Sequence, residues 1–242
     1  MSYVSTVTAD GAVDFYRLGD LSGTTATDSI GANPGTYNGG FTLNQAGAIN
    51  DGNPAVGLDG ASGTVTNPVG IETILGQGAH SVELWLYAAS IAATMGALTG
   101  SQINTRVVVT NTGQVTWRLR ASDGTFKTLT TGAGTIAANT WYHLLMTWDA
   151  GPVSPQMVLY LNGVSAASGF FAPGNITWGT GTWTLGFGAG TFFNGRLDEV
   201  ALYPSVLSSS QALAHYNAGA ITGGGGAATA RYASRYRLGA AA

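Results

Sequence analysis

Residues 12–203 carry a succession of short apolar runs separated by Gly, Asn and Asp: Ala12–Leu18, Ser81–Ala88, Arg106–Thr110, Val115–Ala121, Trp141–Trp148, Met157–Leu161, Trp183–Phe187 and Gly195–Tyr203. Several alternate with period two. In Val115–Ala121, Trp117 and Leu119 fall on one face while Thr116, Arg118 and Arg120 fall on the other, the pattern of a half-buried strand. Asp123-Gly124 and Asn162-Gly163 each stand between two such runs. That is the residue preference of primed hairpin turns, and it predicts antiparallel neighbours. Many short strands joined this way predict an all-β antiparallel sandwich or jelly roll.

The period changes once, near the end. Ser208 is followed three positions later by Gln211, a capping-box spacing, and Leu213 and Tyr216 supply an apolar stripe. One short helix is expected there, with His215 in its last turn and Gly219 as its terminator, packed against the sandwich edge. Thr222 and Gly223–Gly226 then read as a tether. In the closing residues 227–242, Arg231 and Arg235 are four apart, as are Tyr232 and Tyr236, and Arg237 adds a third cation. On a helix these would form a basic edge beside an aromatic one. The expected organisation is a sandwich over residues 1–219, a Gly-rich linker over 220–226 and a basic, aromatic C-terminal arm over 227–242 that anchors the domain to a partner, against the alternative of a disordered solubilising tail.

Composition fits strands rather than salt-bridged helices. Only 9% of the 242 residues are charged, against roughly 25% in typical domains, while 37 are Gly. Residues 1–219 hold all 12 acids and six of the nine Lys and Arg, leaving that segment at −6 and the arm at +3. Neither balance suits duplex nucleic acid. With no Cys there is no disulfide or thiolate site. No apolar stretch has the 18 residues of a membrane span, and the first residues lack the basic and apolar regions of a secretory signal. The expectation is a chain made and kept in the cytoplasm, with no membrane insertion.

Three segments together resemble the laminin G-like jelly rolls of the concanavalin A-like lectin/glucanase superfamily. They are Asp14–Asp28 with Gly35–Gly40, Trp141–Asp149 with Val158–Val164, and Asn194–Tyr203 with Leu207. Val56–Gly60 and Ser81–Leu86 sit where that family places two further motifs. The opening, with Asp14-Phe15-Tyr16-Arg17-Leu18-Gly19-Asp20, is similar to laminin G-type proteins of bacteriophage virions, minor tail and capsid-decorating proteins especially. The resemblance implies a virion protein synthesised in the host cytoplasm, present as a homo-oligomer or in many copies. Its arm would be held by other capsid or tail proteins, and its sandwich displayed for adhesion or particle stabilisation, including host-glycan binding. A free lectin-like protein is the alternative reading, and a degenerate glycosidase a third.

Chemistry in the sequence argues against an enzyme. Glycoside hydrolysis needs two carboxylates about 5 to 9.5 Å apart, and the alternating acids of the superfamily's glucanases are missing. Glu83 stands alone in its strand, and Asp198 and Glu199, as strand neighbours, are expected on opposite faces. His143 reads as a strand residue bonded within the sandwich. His80 and His215 have no triad spacing, and Gly186–Gly190 lacks the residues of a phosphate loop. Several relatives carry a structural calcium, which makes Asp28, Asp59 and Asp198 the candidate ligands; alternatively these residues cap turns. Trp178, Trp183, Phe171, Phe192 and Phe193 are the candidate glycan or partner contacts, against the alternative of core packing. Each of the pairs Phe170-Phe171 and Phe192-Phe193 is expected to turn one ring inward and one outward.

Overall fold

A computed structural model of the chain describes residues 1–100, 105–152, 155–176 and 181–220. Helix α1 (Tyr3–Ala9) precedes strands β1 (Asp14–Tyr16), β2 (Thr25–Ala26), β3 (Gly35–Asn38), β4 (Phe41–Gln45), β5 (Ala55–Asp59) and β6 (Thr64–Asn67). A single helical turn, α2 (Ile71–Leu75), leads to β7 (His80–Ala88), β8 (Met95–Thr99), β9 (Arg106–Val109), β10 (Val115–Arg120), β11 (Phe126–Thr130) and β12 (Trp141–Trp148). Then follow β13 (Met157–Leu161), β14 (Val164–Gly169), β15 (Trp183–Leu185), β16 (Phe187–Gly188), β17 (Thr191–Phe192), β18 (Asn194–Tyr203) and α3 (Ser209–Gly219).

Two antiparallel sheets face each other. The first runs β14-β13-β12-β7-β18-β5-β4, with β1 also on β18; the second runs β11-β10-β9-β8-β15-β6-β3-β2. The main core lies between them and is built on Trp117, Trp148, Trp183, Leu84, Leu144 and Leu159. The all-β sandwich with a short C-terminal helix is therefore the observed fold.

The two sheets read differently along the chain because they are covered differently. β10 is exposed on one face and alternates buried with half-buried residues. β7 and β12 are buried almost throughout, because α1 and α3 cover the outer face of the first sheet. A second apolar cluster fills that space, with Tyr3, Val7, Phe15, Trp85, Tyr203 and Ala212 among its members. Continuous apolar runs belong to strands buried on both sides.

The two predicted turns differ from each other. Asn162 and Gly163 have φ of 51° and 76°, a primed hairpin turn in which both central residues are left-handed. At Asp123-Gly124 only Gly124 is left-handed, with φ of 80°. Asp123 instead accepts from the Thr125 backbone N–H (2.8 Å) and hydroxyl (2.6 Å), an Asx-type turn.

The C-terminal helix forms with its full capping box at Ser208 and Gln211. It covers a face of the sheet rather than packing on its edge, and Gly219 belongs to the helix instead of ending it in a left-handed cap. A Cβ there would come within 2.7 Å of the Trp85 ring, so Gly219 serves close approach. The N-terminal helix was not expected. Its sequence, Tyr-Val-Ser-Thr-Val-Thr-Ala, is β-branched, and it forms because Ser2 caps it while Tyr3 and Val7 bury against the sheet.

Candidate functional site

At one end of the sandwich the short hairpin of β16 and β17 lies across β8. Thr99 Oγ1 donates to the Phe187 carbonyl at 2.8 Å, and β16 approaches so closely that a Cβ on Gly96 would stand 1.8 Å from the Gly188 nitrogen. The hairpin turns at Ala189 and Gly190, with φ of 54° and 81°. Phe187 and Phe192 meet with ring centroids 5.0 Å apart at 57°.

Between this turn, the loop after β7 and the turn after β5 opens a cleft of about 510 Å³. Ser90, Thr94 and Thr191 bring hydroxyls to its wall, Asn194 an amide and Phe192 a half-buried ring; the rest is Gly, Ala and Met95. The Asn194 backbone is fixed, its N–H on Met95 Sδ (3.4 Å) and its carbonyl accepting from Ala89 (3.0 Å). Its exposed side-chain amide makes no hydrogen bond among the described residues. Among the described residues no carboxylate lines the cleft. A concave wall with one ring and a few fixed polar groups can bind a small neutral ligand.

The predicted aromatic contacts divide. Phe192 lies in the cleft, and its neighbour Phe193 is fully buried in the core, so the inward and outward split holds and Phe193 is corrected to a core residue. Trp183 is corrected likewise: it is 2% exposed, edge-on to Tyr16 at 5.5 Å. Phe170 is exposed, while Phe171 is half-buried against the core. Trp178 and the arm residues Arg231, Tyr232, Arg235, Tyr236 and Arg237 lie outside the described residues.

The three candidate calcium ligands are not brought together. Among the described residues no cluster of three or more His, Cys, Asp or Glu is placed to hold a metal ion. Asp28 accepts the backbone N–H groups of Phe15, Ile30, Gly31 and Asn33 at 3.0–3.2 Å. Asp59 accepts those of Ala61, Ser62 and Gly63, with Ser62 the strongest influence, and these bonds hold its carboxyl well below the usual range. Asp198 is buried and accepts the Ala48 N–H at 2.7 Å. Asp28 and Asp59 thus cap turns, Asp198 ties the Ala48 loop to β18, and the described residues do not bring the three together as a calcium cradle.

Asp198 and Glu199 also depart from strict alternation. The pairing of β18 with β7 slips between Asp198 and Ala201, and Glu199 is left-handed with φ of 50°. Such a bulge bends the strand and re-aims its side chains. It lets β18 pair with β5 before the slip and with β1 after it. Burial, then the charge of Glu199, push Asp198 well above the ordinary range. Burial lifts Glu199 to about 7 against the opposing Arg17, whose Nη2 lies 2.7 Å from Glu199 Oε1 and 2.5 Å from Asp51. Both acids are fully buried.

Glu83, alone in its strand, is not alone in space. Its Oε1 accepts Tyr3 OH at 2.7 Å and lies 2.6 Å from His143 Nε2. Its Oε2 accepts Tyr203 OH at 2.6 Å and lies 2.9 Å from His215 Nδ1, while His215 Nε2 reaches Asp10 at 2.8 Å. Carboxylate and imidazole thus meet as they do in general-base sites, yet Glu83, His143 and His215 are all 0% exposed. No substrate reaches them. The network instead ties both outer helices to the first sheet.

Comparison with known proteins agrees with this architecture. The receptor binding domain of botulinum neurotoxin C/D mosaic serotype superposes with a TM-score of 0.66 at 14% identity, over 86% of this chain and 51% of that one. The serotype D ligand binding domain in complex with N-acetylneuraminic acid gives 0.61 at 13%, over 89% and 52%. The binding domain of neurotoxin DC in complex with SialylT gives 0.63 at 11%, over 87% and 52%. The chain spans about half the length of these structures, and at such identities the likeness is one of fold. No curated protein matches. No helix among the described residues is long and apolar enough to cross a membrane. Residues 59–212, well over half of the sequence, match Laminin_G_3. This lectin-like chain belongs to that family, within the concanavalin A-like lectin/glucanases superfamily.

Proposed function

We propose that this chain is a non-enzymatic adhesion domain of a bacteriophage particle that holds host glycans in the cleft beside Phe192. The observation that carries the reading is the cleft's chemistry: a ring for the apolar face of a sugar, the Ser90 and Thr94 hydroxyls and the Asn194 amide for its hydroxyls, the Thr191 oxygen as an acceptor while its own hydrogen goes to the Gly188 carbonyl, and no carboxylate among the described residues. A glycosidase would need a reachable carboxylate pair, whereas Glu83, Asp198 and Glu199 are sealed. The sugar complexes of the neurotoxin domains support the same reading at the level of fold. A glycan array probed with the full chain tests it. Binding to neutral oligosaccharides should fall at least tenfold in Phe192→Ala, with the melting temperature unchanged within about 3 °C. Silence across the array, or full binding by the variant, overturns it.

The virion setting rests on the resemblance of the opening to laminin G-type virion proteins and on the tethered arm. The arm is the anchor to capsid or tail proteins, and many copies are displayed. Deleting Thr222–Ala242 should abolish incorporation into particles while the melting temperature of the sandwich stays put. Incorporation at the wild-type level would instead favour a free lectin.

A further inference from the structure

Beyond the cover of α1 and α3, the outer face of the first sheet carries a cross-strand row. Trp141 on β12 stands opposite Tyr87 on β7, and Tyr87 opposite Arg196 on β18. The two rings are 5.5 Å apart at 56°. Arg196 lays its guanidinium 4.0 Å from the Tyr87 centroid and 5.8 Å from that of Trp141. All three are half-buried. The next position along the row is Gly57, which adds no side chain.

This row adjoins the cleft. Asn194, in the cleft wall, and Arg196 are two apart on one strand, so they share a face about 7 Å apart. β7 runs from Tyr87 directly into the loop that carries Ser90.

The chemistry of Arg196 sets the ligand's charge. Nη1 donates to the Ala46 carbonyl at 2.9 Å, which fixes the side chain without neutralising it. The ion pairs among the described residues involve Arg17, Lys127, His143 and His215, and none involves Arg196. A guanidinium held over an aromatic ring presents a fork of donors that matches a carboxylate.

We propose that Trp141, Tyr87 and Arg196 form a second subsite, continuous with the cleft, that binds an acidic sugar by stacking its ring and pairing its carboxylate with Arg196. This rests on the cleft being a glycan site and names the class of sugar that extends from it. The test is a panel of oligosaccharides bearing uronic or nonulosonic acids, each matched with its carboxyl-reduced counterpart, titrated into the full chain. At least one acidic member should bind tenfold or more tighter than its reduced partner. That preference should shrink as salt rises and vanish in Arg196→Gln, while Arg196→Lys keeps part of it and neutral binding through Phe192 persists in both.

Equal affinity for acidic and reduced partners overturns the proposal, as does a preference that survives in Arg196→Gln. A variant that loses melting temperature but keeps the preference marks Arg196 as a structural cap only. The salt dependence of the wild type serves if the glutamine variant does not fold. Loss of neutral binding in Phe192→Ala is read separately, so failure of the cleft and failure of this subsite give different results.

Discussion

Replacing Glu83 with alanine is expected to cost about 4 kcal/mol of folding stability, since breaking a buried ion pair from one side typically costs about 3–5 kcal/mol. The substitution strands the hydroxyls of Tyr3 and Tyr203 and leaves His143 and His215 without their carboxylate. Of the two carboxylates on the His215 ring, Asp10 alone remains, at 2.8 Å from Nε2. The measurement is urea unfolding, where the midpoint should fall at nearly constant slope. Proteolysis should speed up within α3, because the network is what holds that helix to the sheet. A loss below about 1 kcal/mol would show that the apolar contacts of Trp85, Tyr203 and Ala212 suffice to hold the helices.

The same network sets a pH window. Burial opposes the His215 imidazolium, but its bonds to Glu83 and Asp10 outweigh burial and hold it above 6.5. Its contribution is complete below 6.5 and is lost as pH rises through the folded value. Burial also opposes the Glu83 carboxylate, and the bonds from His143 and His215 reverse this and hold it below 4.5. That contribution is complete above 4.5 and is lost as pH falls toward the folded value. The clamp is therefore strongest between about 4.5 and 6.5. Glu83→Ala should lose most stability in that interval, read as the urea midpoint at a series of pH values.

Much of the sandwich is legible in the sequence because its strands announce themselves locally. The alternation of β10, the Asn162-Gly163 turn and the Ser208–Gln211 capping box each depend on residues a few positions apart. The Glu83 network does not. Its members lie 60 to 132 positions from Glu83 on four other elements, and a lone acid in an apolar strand gives no hint of its partners. The cleft is equally silent, since its wall is mostly Gly, Ala, Ser and Thr, the residues of any turn. Phe192 shows the limit. Two adjacent rings must part, but only the pairing of β18 with β5 and β7 decides that Phe193 goes inward. The Asp198-Glu199 bulge hides for the same reason, because a one-residue slip leaves no mark on composition.

Trp183 makes the difference between core and site measurable. Trp183→Ala is expected to cost about 3–5 kcal/mol, the usual range for emptying a buried aromatic site. Its ring is 2% exposed and packs edge-on against Tyr16, on a strand whose register faces it with Asn67. Among the described residues the indole N–H has no acceptor, so the loss is one of packing and cavity formation rather than of a hydrogen bond. Trp183→Phe, which keeps a ring in the space, should recover about half of it. Glycan affinity, measured where each variant remains folded, should match wild type, in contrast to Phe192→Ala, which should lose affinity at almost unchanged stability. If Trp183→Phe lost glycan affinity at unchanged stability, the indole would have to be a ligand contact, and the burial that places it among the core residues would be wrong.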